Sequence, residues 1–110
     1  TADAIKTSAG ALNKITVCRE DNLRDTLLLL QQSGVIVAAC SEKATDTIDK
    51  MNLKVPLAIV MGSEENGVSK EIYKRCDIHF QIPMVGQIKS MNVSVSCGIA
   101  LYEVNRQRNA

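Results

Sequence analysis

Two short stretches hold residues whose types and spacing suit ligand chemistry. The first, MGSEENGVSK at 61–70, sets Gly62 and Gly67 on either side of Glu64 and Glu65. The second, IPMVGQIKSMNVS at 82–94, places Pro83 and Gly86 ahead of Ser90, Met91 and Asn92. Glycine lets a backbone approach a ligand closely, and free amides and carbonyls around a Pro–Gly turn can hold a polar heterocycle. The glycines of the first stretch have the spacing of a phosphate loop. Val68, however, stands where that loop needs lysine, and Glu64 and Glu65 would repel phosphate. The ligand suited to it is neutral or cationic. Plainer readings stay open: an ordinary strand-to-helix turn for the first stretch, and Ser90 or Asn92 as a helix N-cap for the second.

Both stretches follow apolar runs. VIVAAC at 35–40 and PLAIVMG at 56–62 are continuous enough for strands buried on both faces, and IHFQI at 78–82 makes a third. ITV at 15–17 is a short strand candidate, and AIKTSAGAL at 4–12 is a short helix weakened by Gly10. Asp21 or Asn22 caps a helix through about Gln32 that Gly34 ends, and Ser69 caps another to about Arg75. A helical turn fits near Asp46, and the final helix runs from Asn92 to about Gln107. Strands alternating with helices imply a parallel α/β sheet with helices on its faces. In such sheets ligands bind beyond the carboxyl ends of the strands, where both stretches lie.

The final helix begins with residues that are mediocre helix formers. Ser94 and Ser96, with Gly98 and Ala100, would give it a slim side for another helix or chain, or for tight packing within this one.

The chain has 110 residues, room for one domain, and 45% apolar residues but only 3% aromatic, so its core is aliphatic. A net charge of +1 and a pI near 7.6 lack the strongly basic signature of a stand-alone nucleic-acid binder. Cys18, Cys40, Cys76 and Cys97 are far apart and His79 is the single histidine, so no zinc-site spacing exists and no metal is expected. Reduced thiols and the lack of a signal peptide or apolar membrane segment fit a cytoplasmic protein. His79 reads as a packed or surface residue, Asp46 and Asp49 as solvated, and Arg106 and Arg108 as cations favoured by a helix C-terminus.

IVMGSEENGVSKEIYKRCD followed by IPMVGQIKSMNVSVSCGIALYEVNRQR closely resembles motifs two and three of the SpoU (TrmH-like) RNA ribose 2′-O-methyltransferases of the SPOUT superfamily. KTSAGAL resembles the segment preceding them, particularly in the 23S ribosomal RNA guanosine branch. The resemblance implies a parallel α/β sheet with a deep C-terminal trefoil knot whose loops bind S-adenosylmethionine. Carried over by position, Gly62, Ile82, Met84, Met91, Asn92 and Ser94 are cofactor-binding, and Glu64, Ser90 and Asn92 are catalytic. It further implies an RNA substrate, ribosomal RNA first among them, and a homodimer formed through the last helix. The family's first motif, an Asn followed by the Arg that would activate the ribose hydroxyl, has no match in residues 1–34, although Arg19 and Arg24 are present. Residues 1–110 are therefore expected to be the knotted C-terminal part of a catalytic domain, inactive alone. The alternatives are a non-catalytic cofactor- or RNA-binding knot domain and a different α/β nucleotide-binding enzyme.

Overall fold

The computed structural model describes residues 15–17, 22–63, 66–83 and 92–110. Strands and helices alternate as the apolar runs require: β1 (Ile15–Val17), α1 (Leu23–Gln32), β2 (Ile36–Cys40), a 3₁₀ turn (Ile48–Lys50), β3 (Leu57–Met61), α2 (Lys70–Arg75), β4 (Ile78–Phe80) and α3 (Val93–Arg108). The four strands form one parallel sheet in the order β1-β3-β2-β4. Its central register pairs Ile36 with Leu57 and Cys40 with Met61. The fold class expected from sequence, a parallel α/β sheet flanked by helices, is the one observed.

Because side chains alternate along a strand, the sheet feeds two separate cores. Ala38, Leu57, Ile59 and Phe80 join Ala100 and Val104 of α3, with Ile48 and Leu53 of the crossover, on one face. Val37, Ala39, Ala58 and Val60 meet Leu27 of α1 and Cys76 on the other. The central strands β2 and β3 are buried on both faces, so their apolar runs are continuous rather than alternating.

Local signals set the helix ends. Asn22 Oδ1 accepts from the Asp25 amide at 3.4 Å, and Ser69 Oγ accepts from the Ile72 amide at 3.3 Å. At the end of α1, Gly34 adopts φ +87°, while its amide reaches Gln31 O and the Val35 amide reaches Leu30 O. That pair of bonds is a Schellman cap, and its left-handed residue favours glycine. Asp77 Oδ2 accepts from the Val37 amide at 2.8 Å and from Gln31 Nε2 at 3.2 Å, tying the start of β4 to β2 and α1.

One expectation about α3 needs correction: its small residues do not share a side. Ala100 is fully buried and Ser96 half-buried, whereas Ser94 and Gly98 are exposed. Residues two apart lie about 200° apart around a helix of 3.6 residues per turn, so 94, 96, 98 and 100 cannot form a single stripe. The outward face instead carries Val95, Ile99 and Tyr102.

The far end of α3 is anchored by polar contacts. Gln107 Oε1 accepts from the Leu53 amide at 3.0 Å, and Arg108 donates to Leu53 O and Val55 O. Arg108 is thus a packing residue as well as a cation at a helix end. Glu103, buried on the same helix, accepts two bonds from Arg106 and one from Gln107. Those bonds, Arg106 first, lower its carboxyl pKa from 4.5 to about 2. A lowered pKa stabilises the fold above the unfolded value, and the contribution fades as pH falls from about 4.5 towards 2. Stability measured by denaturant titration should therefore drop across that acid window, and Glu103→Gln should remove part of the drop. An identical acid profile for the variant would show that the Glu103 network does not set it. Among the described residues no helix is long and apolar enough to cross a membrane.

Candidate functional site

All four strands are parallel, so their carboxyl ends share one edge of the sheet. Among the described residues, the segments that follow β2 (41–48), β3 (62–63 and 66–68) and β4 (81–83) leave that edge. Since β3 and β4 both flank β2, the two ligand-suited stretches emerge on either side of the 41–48 segment.

The segment after β3 folds back on itself. Ser63 O accepts from the Gly67 amide at 2.9 Å, and Ser63 Oγ accepts from the Asn66 amide at 3.1 Å. Gly67 sits at φ +66°. Gly62 lies directly against the returning strand of this turn. A Cβ there would stand 2.1 Å from the Gly67 carbonyl carbon and 2.3 Å from the Val68 nitrogen. Sequence reasoning linked Gly62 to close approach of a ligand, but the neighbour occupying that space is the chain's own backbone. Glu64 lies outside the described residues.

After β4 the chain is enclosed. Ser41 N donates to Phe80 O at 2.9 Å on the β2 side. On the opposite side Gln81 N donates to Asp46 O at 2.8 Å, and Gln81 O accepts from Ile48 N at 3.0 Å. One continuous segment, 41–48, therefore flanks both edges of the β4 terminus. The Ile82 side chain packs against the core beneath α3. Among the described residues its amide and carbonyl take no backbone hydrogen bond. An anchored side chain with an available main chain suits recognition of the edge of a heterocycle. Met84, Ser90 and Met91 lie outside the described residues.

Asn92 is the N-cap of α3, its Oδ1 accepting from the Ser94 amide at 2.7 Å. The cap reading of this residue is correct, and the carbonyl half of its side chain is already engaged. Ser94 supplies the amide for that bond and is itself exposed. The far end of α3 holds Leu53 and Val55, ahead of the amino end of β3, so its first turn lies toward the carboxyl edge of the sheet. Gly62, Ile82, Asn92 and Ser94 are thus gathered toward one side of the molecule by three different elements.

Other candidates fall away. His79 is half-buried, stacks on Tyr73 at a centroid distance of 4.0 Å and is hydrogen-bonded to Tyr73 O. Cys40 and Cys76 are held as thiols, their pKa values pushed up to about 11 chiefly by burial, and burial also raises that of Cys97. None is a ready nucleophile at neutral pH. Among the described residues no group of three or more His, Cys, Asp or Glu could hold a metal. A cleft of about 330 Å³ beside His79, Tyr73 and Lys43 includes none of the four gathered residues. Sequence reasoning missed Gln81, whose triple attachment to 41–48 gives no signal in a pattern of polarity.

The model of the SpoU rRNA Methylase family matches residues 1–102. The 23S rRNA (guanosine-2′-O-)-methyltransferase RlmB of Coxiella burnetii is 42% identical over 105 residues, covering 96% of this chain and 42% of that protein. The crystal structure of the A. aeolicus TrmH/SpoU tRNA modifying enzyme superposes with a TM-score of 0.73 at 37% identity, covering 82% of this chain and 46% of that one. A SpoU methyltransferase from Streptomyces viridochromogenes, AviRb, in complex with the cofactor AdoMet, shares the fold with a TM-score of 0.70 at 24% identity, covering 81% and 34% of the two chains. The chain spans less than half the length of the curated relatives it matches.

Proposed function

Since the chain belongs to the SpoU rRNA Methylase family, we propose that the full-length protein carrying it transfers a methyl group from S-adenosylmethionine to a ribose 2′-hydroxyl of structured RNA. Ribosomal RNA is the first candidate, because the 23S rRNA guanosine enzyme of Coxiella burnetii matches nearly the whole chain. The observation that carries the reading is the span of the family match, which runs through both strand-end loops.

The residues present fit the cofactor. Ile82, with its side chain in the core and its amide and carbonyl lacking a backbone partner among the described residues, suits the adenine edge. Met84, Met91 and Ser94 are the further proposed contacts, and Gly62 shapes the adjoining turn. When bound, S-adenosylmethionine supplies an electrophilic sulfonium methyl. What the protein adds is alignment of the acceptor oxygen and help in removing its proton. Asn92 keeps its amide donors for that site while its carbonyl caps α3. Glu64 and Ser90 are the other proposed participants.

The enclosure of the β4 terminus by 41–48 supports a trefoil knot closed by the segment after Ile82. An experimental chain trace that pulls straight from both ends would refute it. The outward strip of Val95, Ile99 and Tyr102 on α3 supports a homodimer, which sedimentation would report as a single-sized monomer if the idea is wrong. We place the protein in the cytoplasm, where its thiols stay reduced.

The test is transfer of labelled methyl from S-adenosylmethionine to unmodified ribosomal RNA by the full-length protein, with digestion to nucleosides. The expected product is a 2′-O-methylnucleoside. Label on a base, or on no RNA offered, would overturn the reading.

A further inference from the structure

Among the described residues at the strand-end edge, one outside every motif makes a dense set of polar contacts. Gln81 follows β4 and binds the 41–48 segment three times. Its amide donates to Asp46 O at 2.8 Å, its carbonyl accepts from Ile48 N at 3.0 Å, and its side-chain Nε2 donates to Ala44 O at 2.7 Å. The main-chain pair forms a one-residue parallel bridge between Thr47 and Gln81. The side-chain bond is part-buried, so its loss would leave the Ala44 carbonyl without that partner where water is scarce.

We infer that Gln81 is a positioning residue for the cofactor site, holding the 41–48 segment against the strand end from which Ile82 emerges. The inference rests on the methyl-transfer reading above. Ile82 is the next residue along the chain, and its main chain is proposed to meet the adenine. Displacement of a main-chain donor by about 1 Å takes a hydrogen bond out of its productive range. On the β2 side the strand end is held by Ser41 N, at the start of the same segment. Ala44 is itself buried at 4% exposure and its amide bonds Ser41 O, so the segment is packed at the point where Gln81 grips it. The main-chain bonds can form with any residue except proline at 81. Only the third depends on the side chain, and it needs a donor of about glutamine's reach.

The experiment measures S-adenosylhomocysteine affinity by calorimetry, and RNA KM at saturating cofactor, in the full-length protein. Gln81→Met keeps the length and removes the donor. Gln81→Glu turns the donor into an acceptor facing a carbonyl. Gln81→Lys restores a donor. The dissociation constant should rise at least tenfold in the Met and Glu variants and return to within about threefold of the parent in the Lys variant. RNA KM should stay unchanged in all three. Should the Glu variant fail to fold, the comparison of Met with Lys decides alone. Unchanged affinity in Gln81→Met, or cofactor affinity and RNA KM weakening together, would overturn the inference and leave Gln81 a purely structural residue. A parent protein that binds no S-adenosylhomocysteine would overturn the methyl-transfer reading itself and this inference with it.

Discussion

Gly62→Ala is expected to destroy cofactor binding in the full-length protein and to lower its stability in the same step. The added methyl would lie 2.1 Å from the Gly67 carbonyl carbon, 2.3 Å from the Val68 nitrogen and 2.6 Å from the Gly67 Cα. These are backbone atoms and cannot rotate aside as a side chain would. The turn closed by the bond from Gly67 N to Ser63 O has to open. Overpacking of a core costs about 1–3 kcal/mol even when side chains can adjust, so a clash against fixed backbone should reach the upper part of that range. Gly67→Ala is the control. Among the described residues no atom lies within 4 Å of a Cβ at Gly67, and its cost is that of holding φ +66°, about 1–2 kcal/mol. Thermal melts and calorimetry with S-adenosylhomocysteine should rank the two variants in that order, with binding by Gly62→Ala at least a hundredfold weaker than the parent. Parent-like binding by Gly62→Ala would mean that the turn is not rigid.

The 110-residue chain by itself is expected to transfer no detectable methyl group, while the full-length protein does. The arginine that the resemblance assigns to activation of the ribose hydroxyl has no match in residues 1–34. Arg24, within that stretch, is exposed and lies near the carboxylates of Asp25 on its own helix and Glu71 on α2. Acid–base assistance is worth roughly 10²–10⁴-fold, and loss of RNA positioning removes further orders of magnitude. Labelled-methyl assays with chain and full-length protein side by side provide the check. Turnover by the chain alone would place the essential group within it, with Arg19, Arg24 and Glu64 the first residues to replace.

Much of this was legible in the sequence because the signals are local. The apolar runs at 35–40 and 56–62 became β2 and β3, and the caps at Asn22, Ser69 and Asn92 formed where their side chains could reach the next free amides. IHFQI was read as one strand, but regular pairing with β2 stops at Phe80 because Gln81 turns to a different partner. That partner lies more than thirty residues away in the chain, and no pattern of polarity encodes it. The helical turn placed near Asp46 formed at Ile48–Lys50, held by Ile48 burying its side chain. Arg108 was invisible as an anchor for the same reason, its partners Leu53 and Val55 being more than fifty residues away, whereas Glu103 has the local partners Arg106 and Gln107 and only its burial was hidden. For Gly62 the sequence could show that a side chain is missing but not that backbone of Gly67 and Val68 lies where a Cβ would go, because composition cannot tell space kept for a ligand from space filled by the chain.

The strand order also fixes a timetable for assembly. Of the three neighbouring pairs, only β2 with β3 joins strands consecutive in the chain. The flanking pairs, Ala38 with Ile78 and Ile15 with Leu57, close loops roughly twice as long as that joining Ile36 to Leu57, and each doubling adds about 0.6 kcal/mol of closure entropy. The central hairpin-free pair is the natural folding nucleus, with both edges recruited afterwards, and a sheet so dependent on distant partners collapses slowly. Substitutions in the β2–β3 seam, such as Ile59→Val, should slow refolding, whereas Phe80→Leu on the late edge should mainly speed unfolding.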